Sequence, residues 1–361
     1  MAVASPPHHG PVLVTGGSGF IAIELVSQLL EAGYTVHTTV RSLQNHAKTQ
    51  PLRTLRDSHG PDRLILFEAD LLQPASFDSA MQGCHAVYHV ASPFKVEEQI
   101  KDGQREMIEP ALKGTVNVLQ SVQDTPSVTK VVLTSSIGAV AGDYRDVLDK
   151  MDGCVLSERY FNETSSVTHN PYHQSKVLAE KEAWKLYEAQ SSRRWHLVVL
   201  CPGLVLGPTP AAASESGSLF LMDELLAGWM FYGVPDLSFL IVDVRDVATA
   251  HIKAAESETA SGRYLICQSE TTSFLHISKH FKRLRNGSFW LPAHRIPNFV
   301  TRVLGPLFGL TQLWMSRNLG VQFKADNSRS IKELGITYYS PEQTLNDHYR
   351  SWESLKKSKA L

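Results

Sequence analysis

Up to Cys201, short runs of Val, Leu and Ile alternate along the chain with longer stretches in which apolar side chains recur at helical spacing. The apolar runs are Val12–Thr15, Thr35–Val40, Leu64–Phe67, Ala86–Val90, Val131–Ser135 and Leu197–Cys201. They alternate little between apolar and polar, the pattern of strands covered on both faces. Between them, Phe20–Ala32, Pro74–Met81, Glu97–Val122 and Pro171–Gln190 have the length and periodicity of helices. Strand then helix, repeated, predicts an α/β fold with a doubly wound parallel sheet.

Beyond Cys201 the rhythm loosens. Gly203–Ser218 is rich in Gly, Pro, Ala and Ser and reads as a loop of the kind that closes over a substrate. Leu237–Val242 and Val244–Ala255 predict one further strand and helix, and Arg263–Cys267 a short strand. From Ser269 onward helix and loop mix without the parallel-sheet pattern. The expected organisation is a sheet domain from 11–205 with 237–268, and a smaller C-terminal substrate-binding cap from 206–236 with 269–355. Residues 1–10 are expected to be a flexible N-terminus.

Composition narrows the function classes. The 361 residues are 43% hydrophobic and 20% charged, with a formal net charge of -1, ordinary for a globular enzyme and without the basic excess that nucleic-acid binding requires. The four cysteines are scattered with no CxxC, and three sit in or beside apolar runs. That usage suits reduced, buried thiols in a cytoplasmic protein. Met1–Gly10 has no charged start followed by an apolar stretch, so it does not read as a secretory signal. Ile296–Met315 is apolar but broken by Arg302, Gly305, Pro306 and Gly309, so no membrane span is expected.

The candidate chemistry lies at the ends of the predicted strands. Thr15-Gly16-Gly17-Ser18-Gly19-Phe20-Ile21-Ala22 follows the first strand and opens the first helix. Glycines there let the backbone turn tightly and approach a pyrophosphate at the helix N-terminus, the dinucleotide-binding, Rossmann-type arrangement. After the second strand stands Arg41, with Lys48 nearby. An NAD enzyme tends to carry Asp or Glu here, whereas an Arg suits the 2′-phosphate of NADP; the alternative is a pair of ordinary surface charges. Tyr172 and Lys176 are one helical turn apart. An ammonium beside a phenol favours the phenolate, and is expected to lower the phenol's pKa so that it can act as an acid near neutral pH. Thr134-Ser135-Ser136 ends a strand upstream, on the sheet edge where open α/β folds hold ligands.

Taken in this order, the glycine turn, the Thr134-Ser135-Ser136 strand end and Tyr172-x-x-x-Lys176 resemble the extended short-chain dehydrogenase/reductase family. The run Tyr172-His-Gln-Ser-Lys176-Val-Leu-Ala-Glu-Lys-Glu-Ala-Trp184 is similar to the dihydroflavonol reductase and cinnamoyl-CoA reductase branch, which includes fungal aldehyde and ketone reductases. Asp70-Leu71, Ala91-Ser92-Pro93 and Pro202-Gly203 add to the likeness, which covers roughly Val12 to Cys267. The resemblance implies that Gly16, Gly19, Phe20 and Ile21 line the pyrophosphate and that Arg41 and Lys48 meet the 2′-phosphate. It implies Asp70 and Leu71 at the adenine, Ala91, Ser92 and Pro93 by the nicotinamide-side ribose, and Pro202, Gly203 and Val205 around the nicotinamide. Ser136, Tyr172 and Lys176 become the catalytic group, with Lys176 also holding ribose hydroxyls. Three positions depart from the family pattern: Ala22 for a glycine, Pro110 in the stretch where many members carry an Asn, and Ala141 where plant flavonoid reductases carry Asn or Asp.

The expected function is NADPH-dependent reduction of an aldehyde or ketone to an alcohol. The expected partner is a small apolar or aromatic carbonyl substrate, with neither nucleic acid nor membrane, in a monomer or homodimer. An NAD-dependent sugar epimerase or dehydratase on the same fold is one alternative, opposed by Arg41 and the aromatic Gly228–Val234. A non-catalytic NADP-binding regulator is another, opposed by the retained Ser136, Tyr172 and Lys176. A third is membrane-surface association through Ile296–Met315, a run that can equally pack inside the cap. Trp229, Phe231 and Tyr232 read either as a substrate pocket or as plain core. His276 and His280 share helical spacing but lack further ligands for zinc, so no metal is expected.

Overall fold

The computed structural model describes residues 10–93, 100–209 and 216–359. The expected flexible N-terminus (apart from Gly10), the start of the expected Glu97–Val122 helix and positions 210–215 of the Gly203–Ser218 loop lie outside the described residues.

Seven strands form one parallel sheet: β1 (Val12–Val14), β2 (Val36–Val40), β3 (Leu64–Glu68), β4 (Ala86–His89), β5 (Lys130–Thr134), β6 (His196–Pro202) and β7 (Gly262–Ile266). Their order is β3-β2-β1-β4-β5-β6-β7, every neighbouring pair parallel. β1 therefore lies between β2 and β4, and the crevice at this change of direction is where such sheets bind ligands. Both faces are covered. In β1, Val12 and Val14 pack into one core and Leu13 into the other, the physical origin of the continuous apolar runs. Helices Phe20–Glu31 and Val244–Glu256 pack together on the first face. Helices Glu109–Asp124 and Pro171–Glu188 pack on the second.

A third core, including Leu206, Met222, Leu225, Phe274, Phe281 and Leu345, lies beyond the sheet ends. It joins helices Gly217–Ala227, Phe274–Leu284 and Pro341–Lys359. The short helices Asn298–Leu304 and Gln312–Asn318 complete this region.

Three local expectations need correction, and one helix was not foreseen. Leu237–Val242 is not one strand: Ser238–Phe239 pairs antiparallel with Thr272–Ser273, and Ile241–Asp243 pairs parallel with Leu204–Leu206. The break falls at Leu240, whose carbonyl accepts from the Leu204 amide. Gly203–Ser218 likewise is not all loop, since it contributes that Leu204–Leu206 strand. Pro74–Met81 is helical only over Asp78–Met81, because Ala75 takes a left-handed φ of 61° and Ser76 instead bonds both the Asp70 amide and carbonyl. A helix at His46–His59 escaped the pattern: of its residues only Thr49 and Leu52 are buried, too narrow a stripe to read.

Candidate active site

The glycine turn is held by the strands beside it. The Gly16 amide donates to Thr39 Oγ1 at 3.2 Å and the Gly17 amide to the Thr39 carbonyl at 2.8 Å. Gly16 has φ 70°, and a Cβ there would stand 2.9 Å from Ala91 Cα. The position thus demands glycine twice, for backbone conformation and for close approach. Gly19 precedes helix Phe20–Glu31, whose N-terminus has no side-chain cap and no acidic residue in its first turn. Exposed amides at a positive dipole end suit a phosphate anion. Ala22, in the family's usual glycine position, is fully buried in the core.

Thr15 ties β1 to β4. Its Oγ1 accepts from the Val90 and Ala91 amides at 3.1 and 3.0 Å, leaving its own proton for Nδ1 of buried His89 at 3.0 Å. His89 suits that role because burial, with the Lys176 charge, pushes it down to about 3 and keeps the imidazole neutral. The clamp fixes Ala91, Ser92 and Pro93 beside the turn. Arg41 stands exposed just past β2, with Lys48 partly exposed at the start of the next helix. Past β3, Asp70 Oδ1 accepts from the Leu72 amide at 2.8 Å. At the end of β6, Gly203 is forced by the Leu240 carbonyl, which a Cβ would meet at 2.1 Å.

The Ser136 hydroxyl caps a short turn at Ile137–Ala139 by accepting from the Gly138 amide at 3.0 Å. It also hydrogen-bonds Tyr172, from the first turn of helix Pro171–Glu188. The phenol is not depressed by Lys176 as the sequence led us to expect. Burial pushes Tyr172 up to about 12, with Ser136 opposing. Lys176 Nζ lies 5.8 Å from the Tyr172 ring centroid, and burial holds the amine down to about 8 against Cys201 and Glu180. Removing both polar groups from water outweighs their mutual influence, so the phenol keeps its proton.

Two supports were not legible as functional residues. Glu180 continues the Tyr172, Lys176 stripe by one more turn and is buried. It accepts from Ser135 Oγ at 2.6 Å and pairs with buried Arg263 at 2.6 Å, so helix and strand end are locked together. Asp143, with a fully buried carboxylate, meets His169 at 2.9 Å, Asn170 at 3.1 Å, Arg317 at 3.0 Å and Asn318 at 2.8 Å. Those hydrogen bonds hold its pKa below the usual carboxylate value despite burial. Asn170 adopts φ 55° just before Pro171. The Asn-Pro pair was the available signal for that helix start.

One cavity of about 2130 Å³ runs from the glycine turn past the strand ends to the cap. Its wall includes Gly16, Gly19, Phe20, Ile21, Arg41, Lys48, Asp70, Leu71, Ala91, Ser92, Pro93, Ser136, Tyr172, Lys176, Pro202, Gly203 and Val205. Pro110 and Ala141 line it as well. Its far rim is aromatic: Trp229, Phe231 and Tyr232 border it while 74%, 48% and 48% exposed, which rules out plain core packing for these three. Among the described residues no group of His, Cys, Asp and Glu could hold a metal ion, and no helix is long and apolar enough to cross a membrane.

Comparison with known proteins agrees with this architecture. The model of the NAD dependent epimerase/dehydratase family matches residues 12–267. A Medicago truncatula protein described as cinnamoyl-CoA reductase CAD2 is 40% identical over 259 residues, covering 71% of this chain and 76% of that protein. An anthocyanidin reductase of Vitis vinifera is 36% identical over 286 residues, covering 75% and 80%. The solved structure of Gre2 from Candida albicans in complex with NADPH superposes with a TM-score of 0.75 at 28% identity, covering 96% of this chain and 99% of that one. The chain belongs to the NAD dependent epimerase/dehydratase family, the extended short-chain dehydrogenases, as an NAD(P)-dependent oxidoreductase of its reductase branch.

Proposed function

We propose that this protein reduces a small apolar or aromatic aldehyde or ketone to its alcohol, using NADPH. The observation that carries the reading is the placement of Ser136, Tyr172 and Lys176 on the wall of the same cavity as the glycine turn. Bound NADPH supplies the hydride. Gly16, Gly19, Phe20 and Ile21 hold the pyrophosphate, and Arg41 with Lys48 binds the 2′-phosphate. Asp70 and Leu71 border the adenine; Ala91, Ser92, Pro93, Pro202, Gly203 and Val205 frame the ribose and nicotinamide. A Candida albicans relative solved with NADPH supports the choice of NADP, as does an arginine where an NAD enzyme tends to carry an acid.

Ser136 positions the carbonyl oxygen and Tyr172 gives it a proton as negative charge develops there. The resulting phenolate is costly in a buried site, and the Lys176 ammonium one turn away offsets that cost. Three buried cysteines accord with a cytoplasmic location as part of the same reading. A sugar-nucleotide epimerase would need an acid in place of Arg41 and a more polar rim than Trp229, Phe231 and Tyr232 provide.

The test is NADPH consumption across aldehydes, ketones and CoA thioesters, by the natural chain and by Tyr172→Phe. Turnover of at least one aldehyde or ketone is expected, falling about 10²-fold or more in the variant while folding and NADPH affinity persist. Near-normal turnover by folded Tyr172→Phe would overturn the assignment. Thioester turnover in place of aldehyde or ketone turnover would move the substrate class to that of the cinnamoyl-CoA reductases.

A further inference from the structure

Helix Asn298–Leu304 and the turn after it are built inside out. Phe299, Val303 and Leu307 recur at every fourth residue and are 71%, 72% and 80% exposed. Val300 and Leu304, on other faces of the segment, border the cavity, and so does Leu307 at the end of the stripe, whereas Phe299 and Val303 do not. A second set of exposed rings stands at the cavity rim. Phe289 packs on Trp290 with ring centroids 6.0 Å apart, and Trp290 packs on Phe231 of the cavity rim at 6.2 Å. Phe289 and Trp290 are themselves 76% and 55% exposed. Exposed apolar side chains thus extend outward from the cavity mouth, and apolar surface concentrated in this way marks an interaction site.

Charge says which kind. Positions 271–325 contain no Asp or Glu and eight Lys and Arg, in a chain whose net charge is -1. Arg302 is exposed on the same helix as Phe299 and Val303. A separate groove of about 470 Å³, lined by Lys279, Lys282 and Arg283, reaches Ala293, the neighbour of rim residue His294. Arg295, Arg317 and Lys324 pair with acids from outside this window, which leaves Lys279, Lys282, Arg283, Arg285 and Arg302 as its excess of positive charge. A second copy docked symmetrically would set that excess against itself. An anionic bilayer meets both features together, because acyl chains take the apolar stripe and lipid phosphates take the cations.

We infer that this face of the cap docks on an anionic lipid bilayer, with Phe299, Val303 and Leu307 entering the boundary between headgroups and acyl chains. The cavity mouth then faces the membrane, where apolar carbonyl compounds partition. Docking itself does not depend on the reductase reading, and its readout is binding rather than turnover.

The experiment is flotation of the full chain with vesicles of phosphatidylcholine alone or of phosphatidylcholine with phosphatidylserine. Binding is expected to the anionic vesicles, weakening as salt rises and accompanied by a blue shift of tryptophan emission. Phe299→Ser combined with Val303→Ser should weaken binding about tenfold or more, and Arg302→Ala roughly fivefold. None of these three residues lines the cavity and all are exposed, so melting temperature and NADPH affinity should hold in both variants. Failure to float with anionic vesicles, or equal flotation by the folded double variant, overturns the inference. So does a dimer in light scattering that the double variant dissociates, which would assign the stripe to a second copy.

Discussion

In the proposed mechanism Lys176 serves chemistry at the expense of stability. Its amine is held down to about 8 from an ordinary 10.5, chiefly by burial. Below about pH 8 the amine is charged in folded and unfolded chains alike, and the folded state bears the full burial cost. Between about 8 and 10.5 the folded chain sheds the proton first, so this group's contribution to stability improves as pH rises. Lys176→Met is therefore expected to stabilise the protein at pH 7 by about 1–3 kcal/mol in urea unfolding, with the gain shrinking towards pH 10 while turnover collapses. A less stable Lys176→Met at pH 7 would contradict the burial argument. Arg41 lines the other end of the cavity and is exposed to solvent. Arg41→Ala should weaken NADPH by about tenfold to a hundredfold in fluorescence titration and leave NADH unchanged. Equal affinity of the natural chain for the two cofactors would remove the basis for that contact.

Helix Pro171–Glu188 carries Tyr172, Lys176 and Glu180 on one stripe, and its placement rests on the last of these. Glu180 and Arg263 form a buried pair at 2.6 Å, and Arg263 also donates to the carbonyls of Glu158 and Ala139 at 2.9 and 3.2 Å. Truncating one partner strands the other charge out of water, so Glu180→Ala should cost about 3–5 kcal/mol in denaturant unfolding. The effect should exceed that of truncating Glu182, two residues further along the helix, whose lysine partner is 73% exposed. Comparable losses at the two sites would mean that the buried pair is not what anchors the helix. At this scale the sequence was least informative where polarity hides function. Tyr172 and Lys176 were singled out by their spacing together with the Thr134-Ser135-Ser136 strand end, whereas nothing in the sequence set Glu180 apart before β7 placed Arg263 against it.

Across the whole molecule, the cavity passes from the β1 turn, over the sheet ends, to the aromatic rim of the cap. A ligand filling it touches segments far apart in sequence and binds only the folded chain. NADPH at about 100 times its dissociation constant should therefore stabilise the protein by about 2.7 kcal/mol, read as a rise in unfolding midpoint. NADH at the same concentration should give less. An unchanged midpoint in saturating NADPH would show that the cofactor does not bind the folded state.

The sheet and the edge on which its ligands lie followed from the sequence, because strands buried on both faces must be continuously apolar, as Val12–Val14 and Val131–Leu133 are. The glycine turn was legible for a similarly local reason: one backbone angle and one close approach at Gly16 admit no other residue. Tyr172 and Lys176 stood out because helical spacing sets them side by side and the Thr134-Ser135-Ser136 strand end precedes them in the order of the family resemblance. Tertiary structure decided what local pattern cannot encode. The phenol's rise to about 12 comes from its burial in the folded chain, opposite in sign to what the Tyr172–Lys176 spacing implied. The split of Leu237–Val242 depends on Leu240 meeting Gly203. The outward stripe of Phe299, Val303 and Leu307 has the periodicity of a core helix, and only the packing of its opposite side against the cavity determines that it faces out. Periodicity specifies which residues share a face; what that face meets is fixed by the rest of the chain.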